Sequence, residues 1–227
     1  MLFRGDNLGA AAGAGNTNIL FTAPAGLGLV GANGNQTNKP IVPWAIGDTA
    51  AAGTGIGFVT YNIDPEHTYP SFEADHMGIS VWRGKFDRTS GSITIDRAAG
   101  TGAVDVVIDM ASVNFGLNRM DQAARSEDWF NVEKFPTGTY KGTLTFAGDV
   151  PGAVEGELTL LGVTRPVKLT ISSFKCIPHP KFKKEVCGAD AEGDLNWSEY
   201  GMRHSKYGEG DAGRVHLRIQ VEAVKQD

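Results

Sequence analysis

From residue 58 onward, apolar and polar residues alternate with a period of two, which restricts this part of the chain to β-strands that each bury one face. Segments 139–146, 153–160 and 167–171 show the pattern, and 59–63, 70–76, 78–87, 91–96 and 103–110 are further strand candidates. The clearest case is segment 213–225, where polar residues separate Val215, Leu217, Ile219, Val221 and Ala223. The alternation predicts an all-β domain of about eight antiparallel strands.

Turn-forming residues separate the predicted strands. Segments 87–91, 98–102 and 148–152 are rich in Gly, Asp, Ser and Pro, which is typical of turns between antiparallel strands. Residues 118–133 lack the period of two and contain helix formers, so we predict one or two helical turns that end before Phe135 and Pro136. Two architectures stay open: a sandwich filled with side chains, and an eight-stranded closed barrel that can hold one small ligand.

Residues 1–57 differ in composition from the rest of the chain. They hold 12 of the 30 Gly and 11 Ala but only four charged side chains, against 43 in the other 170 residues. Such a segment has little apolar area to offset the entropy of ordering, so we predict a poorly ordered Gly/Ala-rich leader before a domain at 58–227. Its apolar run 19–32 is interrupted by Pro24 and makes a poor secretory signal. One hypothesis for the poor match of residues 1–57 to a signal peptide is a mis-assigned start or an altered reading frame where a signal once stood.

The charge and motif content exclude several functions. A net charge of −5 disfavours a nucleic-acid binder, because that class usually carries a basic patch or a high isoelectric point. No run of 18 apolar residues is present, so no integral membrane span is predicted. Neither a P-loop nor a Gly-x-Ser-x-Gly nucleophile motif occurs.

An ordered series of short motifs runs through the domain. In chain order the motifs are YNIDPEH (61–67), FEADHMG (72–78), GKF (84–86), GSI (91–93), RSEDWF (125–130), FP (135–136), GELTLLGVT (156–164), PV (166–167), CGAD (187–190) and SEYGM (198–202). With this order and spacing, residues 59–225 resemble the YceI-like family. The resemblance implies a lipocalin-like barrel, location in the bacterial periplasm, and a long polyisoprenoid or isoprenoid-quinone-like lipid bound inside.

Three features depart from the family pattern. Trp197 stands where the family usually has an Arg two residues ahead of an acidic residue, so any polar role of that Arg is absent. Ala124 replaces the usual Leu before the Arg-Ser pair. Residues 1–57 are not the signal peptide that the family would lead us to expect.

The chain has two cysteines, Cys176 and Cys187, with ten residues between them. In a secreted chain two cysteines suggest one disulfide, which at this loop length would contribute about 3 kcal/mol to stability. The alternatives are two free thiols in a reducing compartment and a metal site completed by His179. The spacing matches no standard zinc pattern, so we predict the disulfide and no metal.

Two histidines near carboxylates suggest metal binding or catalysis. His76, however, falls in step with Phe72 and Ala74 on the apolar face of a predicted strand. A hydrogen-bonded interior position or a contact with a ligand head group is therefore favoured over catalysis for His76. For His67, near the start of the strand, a turn or surface position is favoured.

Aromatic side chains and His76 supply the candidate ligand-binding surface. The aromatic candidates are Phe72, Phe86, Phe115, Trp129, Phe130, Phe135, Tyr140 and Phe146. In a hollow barrel they would line an apolar cavity, where a lipid gains about 0.8 kcal/mol per buried CH₂, less the cost of ordering it. Ordinary core packing is the alternative for each of them. The Trp129–Phe130 pair, on a helical turn, is predicted to form a plug or mouth.

These observations favour a non-catalytic periplasmic protein that sequesters or carries an isoprenoid lipid, without a cofactor, and leave a homodimer open. One alternative is a periplasmic enzyme that acts on a hydrophobic substrate through His76 or His67. The other is a filled β-structural module without a ligand.

Overall fold

The structure, a computed structural model, describes residues 3–4, 47–48, 57–181, 183–202 and 213–226. It divides the chain into two units, residues 1–57 and 58–227. In the first unit the described residues form two short strands, β1 (Phe3–Arg4) and β2 (Gly47–Asp48), which pair in parallel. The predictions made for the Gly/Ala-rich leader lie otherwise outside the described residues.

The period-two segments of the second unit form strands. They are β3 (Phe58–Ile63), β4 (Tyr69–His76), β5 (Ser80–Phe86), β6 (Thr89–Asp96), β7 (Thr101–Asp109), β8 (Val113–Asn114), β9 (Thr137–Ala147), β10 (Val150–Leu160), β11 (Val163–Pro178), β12 (Glu185–Asn196) and β13 (Arg214–Lys225). One α-helix among the described residues, α1 (Asn118–Arg125), and two 3₁₀ turns, Met110–Ser112 and Trp197–Tyr200, complete the unit.

Eight of the strands close into an antiparallel barrel. The order around the ring is β3, β6, β7, β9, β10, β11, β12 and β13, and β13 pairs back onto β3. Leu161 and Gly162 form the tight turn between β10 and β11 with φ of 52° and 75°, a conformation that matches the twist of paired strands. The predicted eight-stranded barrel is confirmed, and the sandwich is excluded because the sheet is a single closed ring.

Three strands leave the ring and form a flap at one end. β3 and β4 pair one after the other with the same edge of β13. β3 pairs with residues 223–225 and β4 with residues 215–220. β5 then pairs with β4, and β8 pairs with β5. Segment 87–91 is therefore not the hairpin turn that its composition suggests, because β5 and β6 have different partners. It links the flap to the ring.

We call the end of the barrel that carries the flap the upper end. The turn at 161–162 and the 3₁₀ turn Trp197–Tyr200 also lie there. The lower end carries the turns at 97–100 and 148–149 and the connection from β11 to β12.

The helix α1 is attached to the flap by two side chains. The buried Asp121 carboxylate accepts a hydrogen bond from the backbone N–H of Phe115 at 2.7 Å, and Arg125 Nη2 donates to the Val113 carbonyl at 3.2 Å. The prediction of helical turns within 118–133 is confirmed. In the described parts of the chain, no helix has the length and apolarity that a membrane crossing requires.

The alternation did not reveal β12. Most of its inward side chains are small (Cys187, Ala189 and Ala191), with only Leu195 near its end being large. Glycines occupy positions 188 and 193, so the hydrophobic contrast between its faces is weak. Long pairings with β11 on one side and β13 on the other hold β12 in place through the backbone.

Candidate functional site

The barrel encloses a cavity of about 690 Å³, within the range of small-molecule sites. Inward-facing side chains of all eight ring strands form its wall, and most of them are aliphatic. Examples from different strands are Ile95, Val106, Leu144, Leu158, Leu169 and Ile219. An apolar ligand would therefore be surrounded by apolar groups.

The cavity stays open because one part of its wall carries only small side chains. Cys187, Ala189 and Ala191 face inward from β12, next to Phe174 and Ile171 of β11. Protein interiors normally fill such space at crystal-like density, so an unfilled apolar interior is a departure that suggests a ligand site.

The structure places seven of the nine predicted ligand contacts in the cavity wall. They are Phe72, His76, Phe86, Phe115, Trp129, Phe130 and Tyr140. Phe135 and Phe146, also predicted there, lie outside the wall. Phe135 packs beside the tight turn at Gly162, and Phe146 packs against the core near Gly100 at the lower end. Neither side chain reaches the open space, because each lies where the chain turns at one end of the barrel.

An aromatic cluster joins the flap to the segment that follows α1. The ring of Phe72 lies 5.7 Å from that of Phe86 and 5.5 Å from that of Phe115, and Phe86 lies 5.5 Å from Phe130. Gly84 faces Phe72 across the β4–β5 pair, and a Cβ at that position would lie 2.5 Å from Phe72 Cζ. A glycine is therefore required for Phe72 to cover β5 in this way.

Two tryptophans absent from the predicted set also line the cavity. Trp82 stacks on His76 with ring centroids 4.2 Å apart, and Trp197 lies 5.8 Å from Trp129. Trp82 was detectable, because it is in step with Phe86 along a predicted strand. No local pattern places Trp197 beside Trp129, so only the tertiary structure shows that the residue in the family's Arg position helps to form the cavity wall.

The two histidines do not share a site. His76 faces the cavity from β4, in step with Phe72 as predicted. The side chain of His67 is 52% exposed and lies outside the cavity wall, with its Nδ1 2.9 Å from Asp64 Oδ2. The hydrogen bond and charge of Asp64 raise the pKa of His67. The arrangement gives His67 the turn position that the sequence favoured.

Toward the lower end, the wall contains the phenol of Tyr61. Tyr61 is 1% exposed, and its hydroxyl donates a hydrogen bond to Glu185. Burial and this contact with a carboxylate raise the pKa of Tyr61 to about 12. Arg97 Nη2 lies 3.5 Å from the same carboxylate and 2.9 Å from Cys176 Sγ. The phenol is thus held in its neutral form as a hydrogen-bond donor.

Tyr61 makes stability depend on pH in the alkaline range. Because the folded pKa of about 12 exceeds the ordinary value of 10.0, the unfolded chain loses this proton first as the pH rises. The contribution is complete below about pH 10 and is lost between about pH 10 and 12. In this window we expect Tyr61 to lower the free energy of unfolding by up to about 1.4 kcal/mol per pH unit.

Urea unfolding of the wild type and of Tyr61→Phe, measured from pH 9 to above pH 11, tests this expectation. The free energy of unfolding of the Phe variant should fall less steeply with pH, by up to about 1.4 kcal/mol per pH unit, because this variant lacks the proton that Tyr61 loses on unfolding. Equal slopes in the two proteins would contradict the assigned environment of Tyr61.

Cys176 and Cys187 form a disulfide, as predicted. They lie directly opposite each other on β11 and β12, with their Cα atoms 4.0 Å apart. Glu185 is close to both sulfurs, but the bond occupies both, so neither is available as a thiolate ligand. The alternative metal site with His179 therefore lacks its sulfur ligands.

Removing this disulfide is expected to lower the free energy of unfolding by about 3 kcal/mol, because the unfolded chain regains the entropy of a short closed loop. Urea unfolding of the double variant Cys176→Ala/Cys187→Ala measures the loss. Alanine avoids placing a hydroxyl at the buried position of Cys187. Wild type treated with a thiol reductant should match the variant, and the variant should be insensitive to the reductant. An unchanged midpoint in both would show that the crosslink does not stabilise the fold.

A closed eight-stranded barrel with a hollow apolar interior defines a lipocalin-like protein, a class in which the barrel can hold one small ligand. The chain matches the YceI-like domain over residues 61–223. It therefore belongs to the YceI-like family, and the resemblance noted in the sequence is confirmed.

Similar proteins cover most of the chain. Protein YceI of Escherichia coli O6:H1 is 31% identical over 180 residues, which make up 78% of this chain and 92% of that protein. The Campylobacter jejuni YceI protein is 25% identical in sequence, with a TM-score of 0.57 over 67% of this chain and 90% of its own. A polyisoprenoid-binding domain from Saccharophagus degradans has a TM-score of 0.52 at 16% identity, covering 76% and 100%, and shares the fold.

Proposed function

We propose that this protein binds a long-chain polyisoprenoid or isoprenoid-quinone-like lipid in its barrel and sequesters or transports it without catalysis. The observation that carries the proposal is the apolar cavity of about 690 Å³, left open by the small side chains of β12. The domain from Saccharophagus degradans, which shares this fold, is a polyisoprenoid-binding domain, and this likeness supports an isoprenoid as the ligand class. No cofactor is needed for this role.

The distribution of polarity supports one orientation of the ligand. The charged side chains of the wall, Asp75 and Arg119, come from the β4–β5 region and α1 at the upper end. Deeper positions are mostly aliphatic, and Tyr61 already has a hydrogen-bond partner. The polar end of a lipid would therefore remain at the upper end, while its hydrocarbon chain extends toward the lower end.

The seven predicted residues that lie in the wall are proposed to contact the ligand, and they have different roles. Phe72, Phe86, Phe115 and Phe130 form one connected aromatic surface that joins the flap to the segment after α1. Trp129 and Trp197 form a second surface near α1. The first surface would hold the lipid chain, and Trp129 would cover it near the mouth. His76, stacked on Trp82, would contact the polar end.

A disulfide persists in oxidising compartments, which supports a periplasmic location for this protein. A catalytic role for the histidines has less support, because His67 lies outside the wall that contains His76. The homodimer left open by the sequence stays a prediction.

The proposal is tested by native mass spectrometry of the full chain purified from a bacterial periplasm, followed by organic extraction. We expect one lipid per barrel, and the extracted molecule should be an isoprenoid. Delipidated protein should then take up an added long polyprenol in preference to a fatty acid. A delipidated barrel that takes up neither molecule would overturn the proposal in favour of a module without a ligand.

A further inference from the structure

Large apolar side chains are exposed at the end of the flap. Met77 (60% exposed), Ile79 (76%) and Val81 (47%) belong to the β4–β5 hairpin, and Leu117 (59%) lies just before α1. We call these four residues the apolar tip. Single exposed apolar residues are common on proteins, but a group at one end of a molecule usually marks an interaction surface.

The apolar tip is continuous with the cavity. Met77 and Leu117 are both exposed to solvent and part of the cavity wall, so the apolar surface runs from outside the barrel to its interior. Arg119 is also exposed and also part of the wall. Asp75, the other charged side chain of the wall, accepts a hydrogen bond from the Gly78 N–H at 2.8 Å within the same hairpin turn, so a charge of each sign lies beside the apolar tip.

The shape and charge of this surface favour a lipid bilayer as its occupant. Residues 77–79 form the turn of the β4–β5 hairpin. Met77 and Ile79 are 60% and 76% exposed, so the turn projects into solvent and its surface is convex. A fluid interface can surround a convex apolar tip without a matching pocket. A bilayer interface also combines apolar chains with charged head groups, which suit the apolar tip and the neighbouring Arg119 and Asp75 respectively.

We propose that the apolar tip docks the protein onto a lipid bilayer, with the mouth of the cavity facing the membrane. Docking would serve the proposed lipid binding, on which this proposal rests, because a bilayer is where an isoprenoid would be taken up or delivered. Exchange of lipid would then occur through an apolar path formed by Met77 and Leu117.

Sedimentation of the full chain with phosphatidylcholine vesicles that contain phosphatidylglycerol tests the docking. Ile79→Ser removes the most exposed side chain of the tip without altering the cavity wall, since Ile79 is not part of it. We expect this change to lower the vesicle partition coefficient about tenfold. Val150→Ser is the matched control, because Val150 is 47% exposed at the lower end and outside the wall. It should leave partitioning unchanged.

The outcomes separate docking from ligand binding. A wild type that holds its isoprenoid but does not sediment with vesicles would overturn docking and leave the proposed function intact. Vesicle binding by a chain that takes up no lipid would support docking alone. Equal effects of Ile79→Ser and Val150→Ser would overturn the assigned tip. If Ile79→Ser instead converts a dimer to a monomer and leaves vesicle binding unchanged, the tip contacts a second copy of the chain and the proposal is wrong.

Discussion

Replacing Ala189 with Trp is expected to lower the fraction of barrels that hold a lipid by at least about tenfold, a change of about 1.4 kcal/mol or more in binding. Ala189 faces the cavity from β12, between Phe174 of β11 and Val221 of β13. An indole at this position would occupy space that the hydrocarbon chain needs. Because the indole would enter open space and not a filled core, the loss in the free energy of unfolding should stay below the ~1–3 kcal/mol typical of overpacking.

The control for this variant is Lys175→Trp. Lys175 is exposed on the neighbouring strand β11, outside the cavity wall, so the same side chain is added there without filling the barrel. Native mass spectrometry measures lipid occupancy, and urea unfolding measures stability, for both variants. Full lipid occupancy in Ala189→Trp would show that the lipid does not lie against β12, and would contradict the proposed site.

Tyr140→Ala is expected to lower the free energy of unfolding by about 3–5 kcal/mol, a large part of the stability of an ordinary domain. Tyr140 is 6% exposed, and its hydroxyl donates a hydrogen bond to the Val167 carbonyl at 2.8 Å. Its ring fills the space above Gly156, where a Cβ would lie 2.6 Å from Tyr140 Cζ. Burial also raises the pKa of the Tyr140 phenol, so this hydroxyl stays a donor. Removing the ring would enlarge the existing cavity.

Tyr140→Phe separates packing from hydrogen bonding. It keeps the ring and loses the donor to Val167, so we expect a cost of about 1 kcal/mol. Both variants should be compared with wild type after removal of lipid, because a bound ligand adds to apparent stability. A loss in Tyr140→Ala no larger than that in Tyr140→Phe would show that the ring does not pack as the structure indicates.

Most of the strands were predictable, and the one long strand that was missed, β12, has a clear physical cause. β13 and β9 carry large apolar residues on one face, so their alternation is strong in the sequence. β12 has small inward residues and two glycines, and its strand character comes from pairing with β11 and β13. The side chains that keep the cavity open are the same ones that hide the strand from a search for hydrophobic periodicity.

The site was predictable where it follows from strand alternation. Phe72, Phe86 and Tyr140 lie on the apolar faces of predicted strands, and closure of the barrel turns those faces inward. Trp197 could not be found in this way, because its neighbour Trp129 comes from a distant segment. The exposed tip at Ile79 was also not apparent, since a period of two does not distinguish a strand inside the ring from one in a flap.

The sequence by itself determined which face of most strands is apolar, where several of the turns lie, the family, and that a single disulfide could link the two cysteines. These properties depend on neighbouring residues or on short motifs. Only the tertiary structure decided that the sheet closes into a ring, that a flap leaves it, and that the interior is hollow. Closure requires β13 to pair with both β12 and β3, which are far from each other in the chain. The size of the cavity depends on the combined side-chain volume of all eight ring strands, which cannot be read from any single segment.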